Sequence, residues 1–336
     1  MRAVPVLIAA LAGIAMVAPT EPAAGTRERV DVHVNQIQVL GTHNSYHQRP
    51  NRRITPGEPA DYTHPPLAVQ LDEEGVRSFE IDAFNGPGFP VLHTPLIDNV
   101  STCPMLADCL TALAAWHDAH PHHVPIFVLI EPKTQSVVLD QSLVPWDAAA
   151  LDRLDAAIRS VFRGKSLLTP DDVRGRSHTL RDAVTTRGWP TLRRANGRVA
   201  FVLSTAGPLR TAYLAGRSSL QGRPMFVTAD PQAPSAAVVK RDTPVERDIR
   251  RLVRRGFVVR TLADDKGIEA RAGDHARADL AIRSGAQIVS TDYPVADPTV
   301  GPYTVRVAPD DLPARCNPVN APHDCRDREL ERLGGG

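Results

Sequence analysis

The chain has 336 residues, of which 42% are hydrophobic and 23% charged. That is enough apolar material for a sizeable core, and it excludes a disordered or coiled-coil protein. Thirty-nine basic residues stand against 38 acidic ones, for a formal net charge of +1; so even a balance offers no broad basic face to nucleic acid, and any recognition of phosphate must be local to a site.

Met1 and Arg2 open the chain, an uncharged apolar run covers 3–17, and Pro19, Pro22, Ala23 and Ala24 follow. The run is shorter than the ~20 residues that span a bilayer, so 1–24 reads as a secretory signal cleaved between Ala18 and Ala24. The mature protein is therefore expected to be secreted, with no transmembrane anchor. Export permits disulfides. The four cysteines fall as two close pairs, Cys103 with Cys109 and Cys316 with Cys325; three connectivities are possible, and the two local bridges are favoured.

Apolar runs rich in β-branched residues then recur at 37–40, 77–81, 124–130, 199–203, 224–227, 257–262 and 287–290. Continuous runs of this length suit buried parallel strands. Helical patterns lie between them at 66–74, 105–120, 147–162, 243–255 and 274–284. Thr243, Pro244 and Glu246 predict a capping box with proline at the first helical position. The alternation predicts one TIM-type (β/α)8 barrel over 30–300, with a doubly wound sheet as the alternative. Seven strands are clear, and an eighth is sought near Val238 and Val239. Segment 169–198 looks like a long excursion over the barrel, and the tail, 301–336, like a disulfide-stapled appendage.

In such a barrel the chemistry gathers where strands end. The first strand ends in Gly41, Thr42, His43, Asn44 and Ser45. In the second, Glu80 and Asp82 are two apart and share one face. The third ends in Glu131, Pro132 and Lys133, and the loop after the second carries His93. Any one of these residues has an ordinary structural explanation. Three acids delivered to one mouth do not, because converging charges need partners.

His43-Asn44, Glu80-x-Asp82, His93 and Glu131 resemble, in order and strand by strand, the catalytic pattern of calcium-dependent phosphoinositide phospholipase C, most closely its secreted bacterial branch. The runs GTHNSYH at 41–47, GWPTL at 188–192, RTLADD at 260–265 and VSTDYP at 289–294 are also similar, and the likeness extends over about 38–294. The resemblance implies a distorted TIM barrel, one Ca2+, and cleavage of phosphatidylinositol at a membrane surface to diacylglycerol through a cyclic inositol phosphate. It further implies Asn44, Glu80, Asp82 and Glu131 as calcium ligands, His43 as donor to the phosphoryl group and His93 as acid for the leaving oxygen, with Glu80 or Glu131 as base. Two other classes compete: a glycerophosphodiester phosphodiesterase-like enzyme, whose first histidine precedes Arg-Gly where Asn44 stands here, and a non-catalytic lipid or inositol-phosphate binding barrel.

Lys133 and Arg260 are candidate substrate contacts, Arg260 because an arginine inside an apolar strand must face a polar mouth or an acid. Asp264, Asp292 and Tyr293 are candidate pocket residues. The histidines at 120–123 read as an exposed turn at a helix end.

Overall fold

The computed structural model describes Met1 and residues 31–50, 61–135 and 137–334; the predicted signal, 1–24, lies outside these residues apart from Met1. Eight parallel strands form the barrel: β1 Ile37–Thr42, β2 Ser78–Ala83, β3 Ile126–Pro132, β4 Val199–Leu203, β5 Met225–Val227, β6 Val238–Lys240, β7 Val258–Leu262 and β8 Ile288–Thr291. They neighbour one another in the order β5-β4-β3-β2-β1-β8-β7-β6, which is a barrel and not a doubly wound sheet. The eighth strand is the one sought at Val238 and Val239. Closure rests on a single parallel bridge between Thr228 and Val238, with the Ala229 N–H donating to the Val238 carbonyl at 3.1 Å.

The β1–β2 joint is equally sparse, since only Gly41 and Ser78 pair. Gly41 is needed there: a Cβ would come within 3.0 Å of Ser290 Oγ and 3.1 Å of Ser78 Cβ. Beyond this pair Ser45 takes over from the ladder. Its N–H donates to the Glu80 carbonyl at 2.8 Å, and its Oγ accepts the Glu80 N–H at 2.8 Å. Below the pair, the tail supplies the missing partner. Strand β9, Ala314–Cys316, runs antiparallel to Ile37–Val39 of β1. Both predicted bridges are present, Cys103–Cys109 and Cys316–Cys325.

The excursion at 169–198 seals the floor of the barrel. Trp189 is fully buried, its ring packs near Phe127 and Phe226, and its indole N–H donates to the Gly256 carbonyl at 3.0 Å. Those partners sit at the N-terminal ends of β3 and β5 and just before β7. The predicted helices appear with trimmed ends, but the capping box does not form. The helix begins at Glu246 behind an extended Val245. Asp242 is held beside β7 by Arg260, Leu262 and Arg277, so Thr243–Val245 is spent on a tight turn, closed by the Val245 N–H to the Thr243 carbonyl at 2.9 Å.

Because Cys316–Cys325 holds β9 against β1, replacing both cysteines with serine should cost about 2–3 kcal/mol. Chemical denaturation of the double variant against wild type measures this.

Candidate active site

The turn after β1 assigns each of its polar side chains to a different partner. Asn44 takes a left-handed conformation, φ 45°, which bends the chain so that successive residues point apart. Thr42 donates to Gln70 Oε1 at 2.8 Å, His43 Nδ1 meets Asp292 at 2.8 Å, and Asn44 Nδ2 donates to the Tyr62 hydroxyl at 3.0 Å. Tyr46 donates its hydroxyl proton to Asp82 Oδ2 at 2.9 Å, and His47 Nε2 meets Asp98 at 2.8 Å.

His93 Nδ1 bonds the other oxygen of Asp98 at 2.8 Å. The loop that presents it is a small antiparallel clip between Thr94 and Asp98. Two histidine–aspartate pairs, His43–Asp292 and His93–Asp98, therefore face one cavity of about 270 Å³, shared with Asn44, Tyr62, Asp264 and Lys266. In both pairs the aspartate can only accept, so Nδ1 carries the hydrogen and Nε2 is left for the cavity. His47 Nδ1 is buried without a partner, so His47 engages the site through Nε2 alone.

Electrostatics separate these groups. Burial works against a charged His43, but Asp292, with Glu80 behind it, overcomes that cost and raises its pKa to about 9. Burial likewise opposes the Asp98 charge, yet hydrogen bonds from His47 and His93 bring that carboxyl down to about 2. Asp264, buried beside Asp292, is pushed up to about 7. It accepts from the Asp292 N–H and the Thr291 hydroxyl.

Glu80 and Asp82 share a face as predicted, and Asp82 stands in register with Glu131. Three cations are interleaved with these acids. Arg260, fully buried, pairs with Glu80 Oε2 and with Asp242. Lys240 Nζ lies 3.3 Å from Glu80 Oε1 and 3.4 Å from Glu131 Oε2. Lys133 Nζ lies 3.0 Å from Asp82 Oδ2 and 3.7 Å from Glu131 Oε1. Lys133 and Arg260, anticipated as substrate contacts, are thus turned onto the acids of the site. The pairing with Arg260 and Lys240 outweighs burial and holds the Glu80 carboxyl low. Glu131 moves the other way, raised by burial and by Asp82 and Glu80.

Residues 32–87 and 82–318 match the family described as phosphoinositide phospholipase C, Ca2+-dependent. The chain belongs to that family. No curated protein sequence matches it. Among solved structures, the calcium-dependent phosphoinositol-specific phospholipase C of a Gram-negative Pseudomonas species superposes with a TM-score of 0.58 at 18% identity, over 85% of this chain and 96% of that one. The Ca2+-dependent phosphatidylinositol-specific phospholipase C of Streptomyces antibioticus does so with a TM-score of 0.57 at 21% identity, over 78% of this chain and 95% of that one. At these identities the two structures support the fold alone.

Among the described residues no group of three or more His, Cys, Asp or Glu side chains is spaced to hold a metal as the side chains stand. Their chemistry nevertheless fits the calcium of this phospholipase C family. The donors are all oxygen, which suits a hard ion, and two lysine ammonium groups bridge pairs of carboxylates as stand-in cations.

Reading from sequence alone missed Lys240, Lys266, Tyr62 and Asp98. Asp98 follows His93 by five residues, a spacing that a search for a loop aspartate beside a catalytic histidine would have found. Of the histidines at 120–123, His120 and His122 are exposed as expected, but His123 is buried and satisfied by His117 and the Val124 carbonyl.

Asp292→Asn should drop the His43 titration from about 9 towards the ordinary imidazole range, read by NMR of the ring protons. A raised pKa contributes stability in full below about 6.5, lost as pH rises through about 9. Wild-type unfolding free energy should therefore fall across that window, and the variant's should not.

Proposed function

We propose that this chain cleaves the glycerol–phosphate bond of phosphatidylinositol, with the inositol 2-hydroxyl as nucleophile and calcium held by Asn44, Glu80, Asp82 and Glu131. The observation that carries this reading is the pair of histidine–aspartate dyads facing one cavity at the end of the barrel where β2 and β3 bring Glu80, Asp82 and Glu131 together. When bound, calcium would supply positive charge near the 2-hydroxyl and the phosphoryl oxygens. Glu131 is the better base of the two candidates, because burial and its acidic neighbours raise its proton affinity while Arg260 and Lys240 lower that of Glu80. It removes the 2-hydroxyl proton as that oxygen bonds to phosphorus. His43, an imidazolium at neutral pH, donates from Nε2 to a phosphoryl oxygen and stabilises the charge that accumulates there. The bond from phosphorus to the glycerol oxygen breaks, and His93 Nε2 delivers the proton that makes that oxygen the hydroxyl of diacylglycerol. The other product is inositol 1,2-cyclic phosphate.

The substrate is a membrane lipid, and the rim suits one. Leu96 and Ile97 after β2, Val138, Leu139 and Val144 after β3, and Ile268 after β7 are all exposed, Val138 at 88% and Leu96 at 74%. All follow the C-terminal ends of strands and so lie on the side of the active site. We read them as an apolar edge that enters the lipid surface while the mouth meets the headgroup. No helix among the described residues is long and apolar enough to cross a membrane. Both disulfides and the apolar segment at 3–17 support an exported enzyme.

The test is phosphorus NMR of the products from phosphatidylinositol vesicles, in chelator and then with calcium or magnesium restored. Cyclic inositol phosphate formed only with calcium is expected. Glycerol phosphate would identify a glycerophosphodiesterase, full activity in chelator would end the metal assignment, and an unchanged lipid would identify a binding barrel. For the rim, the Leu96→Ser, Val138→Ser double variant should lose roughly tenfold in activity on vesicles, with monomeric short-chain substrate turned over as by wild type.

A further inference from the structure

The three cations at the mouth are not held alike. Arg260 is locked: besides Glu80 and Asp242 it donates from Nε to Ser290 at 3.2 Å, and its planar fork is fully buried. Lys133 makes a close contact at 3.0 Å to a carboxylate that is itself buried. Lys240 has two longer contacts, 3.3 and 3.4 Å, and a third at 4.0 Å to Asp242. Its side chain is 24% exposed, and it lines an open cleft of about 860 Å³ together with Glu131, Trp146, Arg210 and Arg241. An ammonium on a flexible four-carbon stem can leave such a position, where a bidentate guanidinium cannot.

The oxygens it holds are also the ones a metal needs. Glu80 gives Oε2 to Arg260 and Oε1 to Lys240, so removing Lys240 frees Oε1 while Glu80 stays anchored. The same removal frees Glu131 Oε2, and the two liberated oxygens face one another across the place the ammonium held. With all three cations in place the four carboxylates of Glu80, Asp82, Glu131 and Asp242 keep one net negative charge among them, which offers a divalent ion little attraction. Withdrawing Lys240 adds a second negative charge and frees two ligand oxygens at once.

We propose that Lys240 is a tethered placeholder for calcium: its ammonium bridges Glu80 and Glu131 in the metal-free enzyme, and calcium expels it into the adjoining cleft. This rests on the reading of these carboxylates as the calcium site. Metal binding thereby turns Lys240 from a counter-ion of the protein into a positive group lining the cleft, available to anionic oxygens of the substrate.

The chain contains four lysines, Lys133, Lys165, Lys240 and Lys266, so acylation with an amine-reactive ester followed by mass spectrometry resolves each. Adding calcium chloride to the metal-free wild type should raise the acylation rate of Lys240 by about tenfold or more, with the exposed Lys165 as the unchanged reference. Calorimetry should show Lys240→Met binding calcium about tenfold more tightly than wild type, as expected when one competing charge is removed. If calcium binds wild type and Lys240 acylation stays constant or falls, the placeholder is refuted and the calcium site stands. If neither protein binds calcium, both ideas fail. The footprint uses the unaltered chain, so it decides the question even if Lys240→Met does not fold.

Discussion

Three carboxylates brought into one barrel mouth by neighbouring strands repel one another by about 3 kcal/mol per pair at ~5 Å and an effective dielectric of ~20. The rest of the mouth is arranged around that repulsion. β7 places a fully buried arginine against Glu80, β6 sends a lysine across the barrel to Glu80 and Glu131, and the strand that carries Glu131 returns its own lysine to Asp82. Arg260 and Lys240 stand in register on the neighbouring strands β7 and β6, across the ring from Glu80 on β2, so their part of the compensation exists only in the closed barrel. It follows that folding and charge balance are one event here, and that a catalytic cluster which would be prohibitive in an open sheet is tolerated in this one.

The two histidine pairs show how the same chemical motif is set to different ends. Asp292 serves one histidine, with a partly protonated Asp264 behind it, and its charge acts on His43 undivided. Asp98 divides its two oxygens between His93 and His47. Both hydrogen bonds lower the Asp98 carboxyl. Asp292 thus holds His43 as a cation, raised to about 9, while Asp98 ties His93 and His47 to one carboxylate.

Much of this was legible in the sequence because it was local. His43, Asn44, Glu80, Asp82, His93 and Glu131 stand where an apolar run meets polar residues, and period-2 spacing places Glu80 and Asp82 on one face. The alternation of runs and helical patterns was enough to predict the barrel. What stayed hidden depends on pairs far apart in the chain. β6 is three residues long and only Val238 and Val239 marked it, so a strand was sought there without Lys240 being read as its functional end. Lys133 and Arg260 were noticed but were directed toward substrate, because sequence shows that a charge requires a partner and not which acid stands across the ring. The helix start at Thr243 failed for a similar reason: a tertiary contact to Asp242 overrode a sound local signal.

The closure between β5 and β6 has a mechanical meaning. One bridge, Thr228 to Val238, joins them, whereas β2 and β3 share six pairs in register. Lys240 ends β6 two residues past that bridge, and the wide cleft lined by Thr228, Ala229 and Lys240 opens directly along the seam. The β1–β2 joint also has a single pair, but Ser45 and β9 brace it, and the β5–β6 seam has no such brace among the hydrogen bonds of the described residues. The ring is therefore least firmly fastened beside Lys240, where the cleft opens.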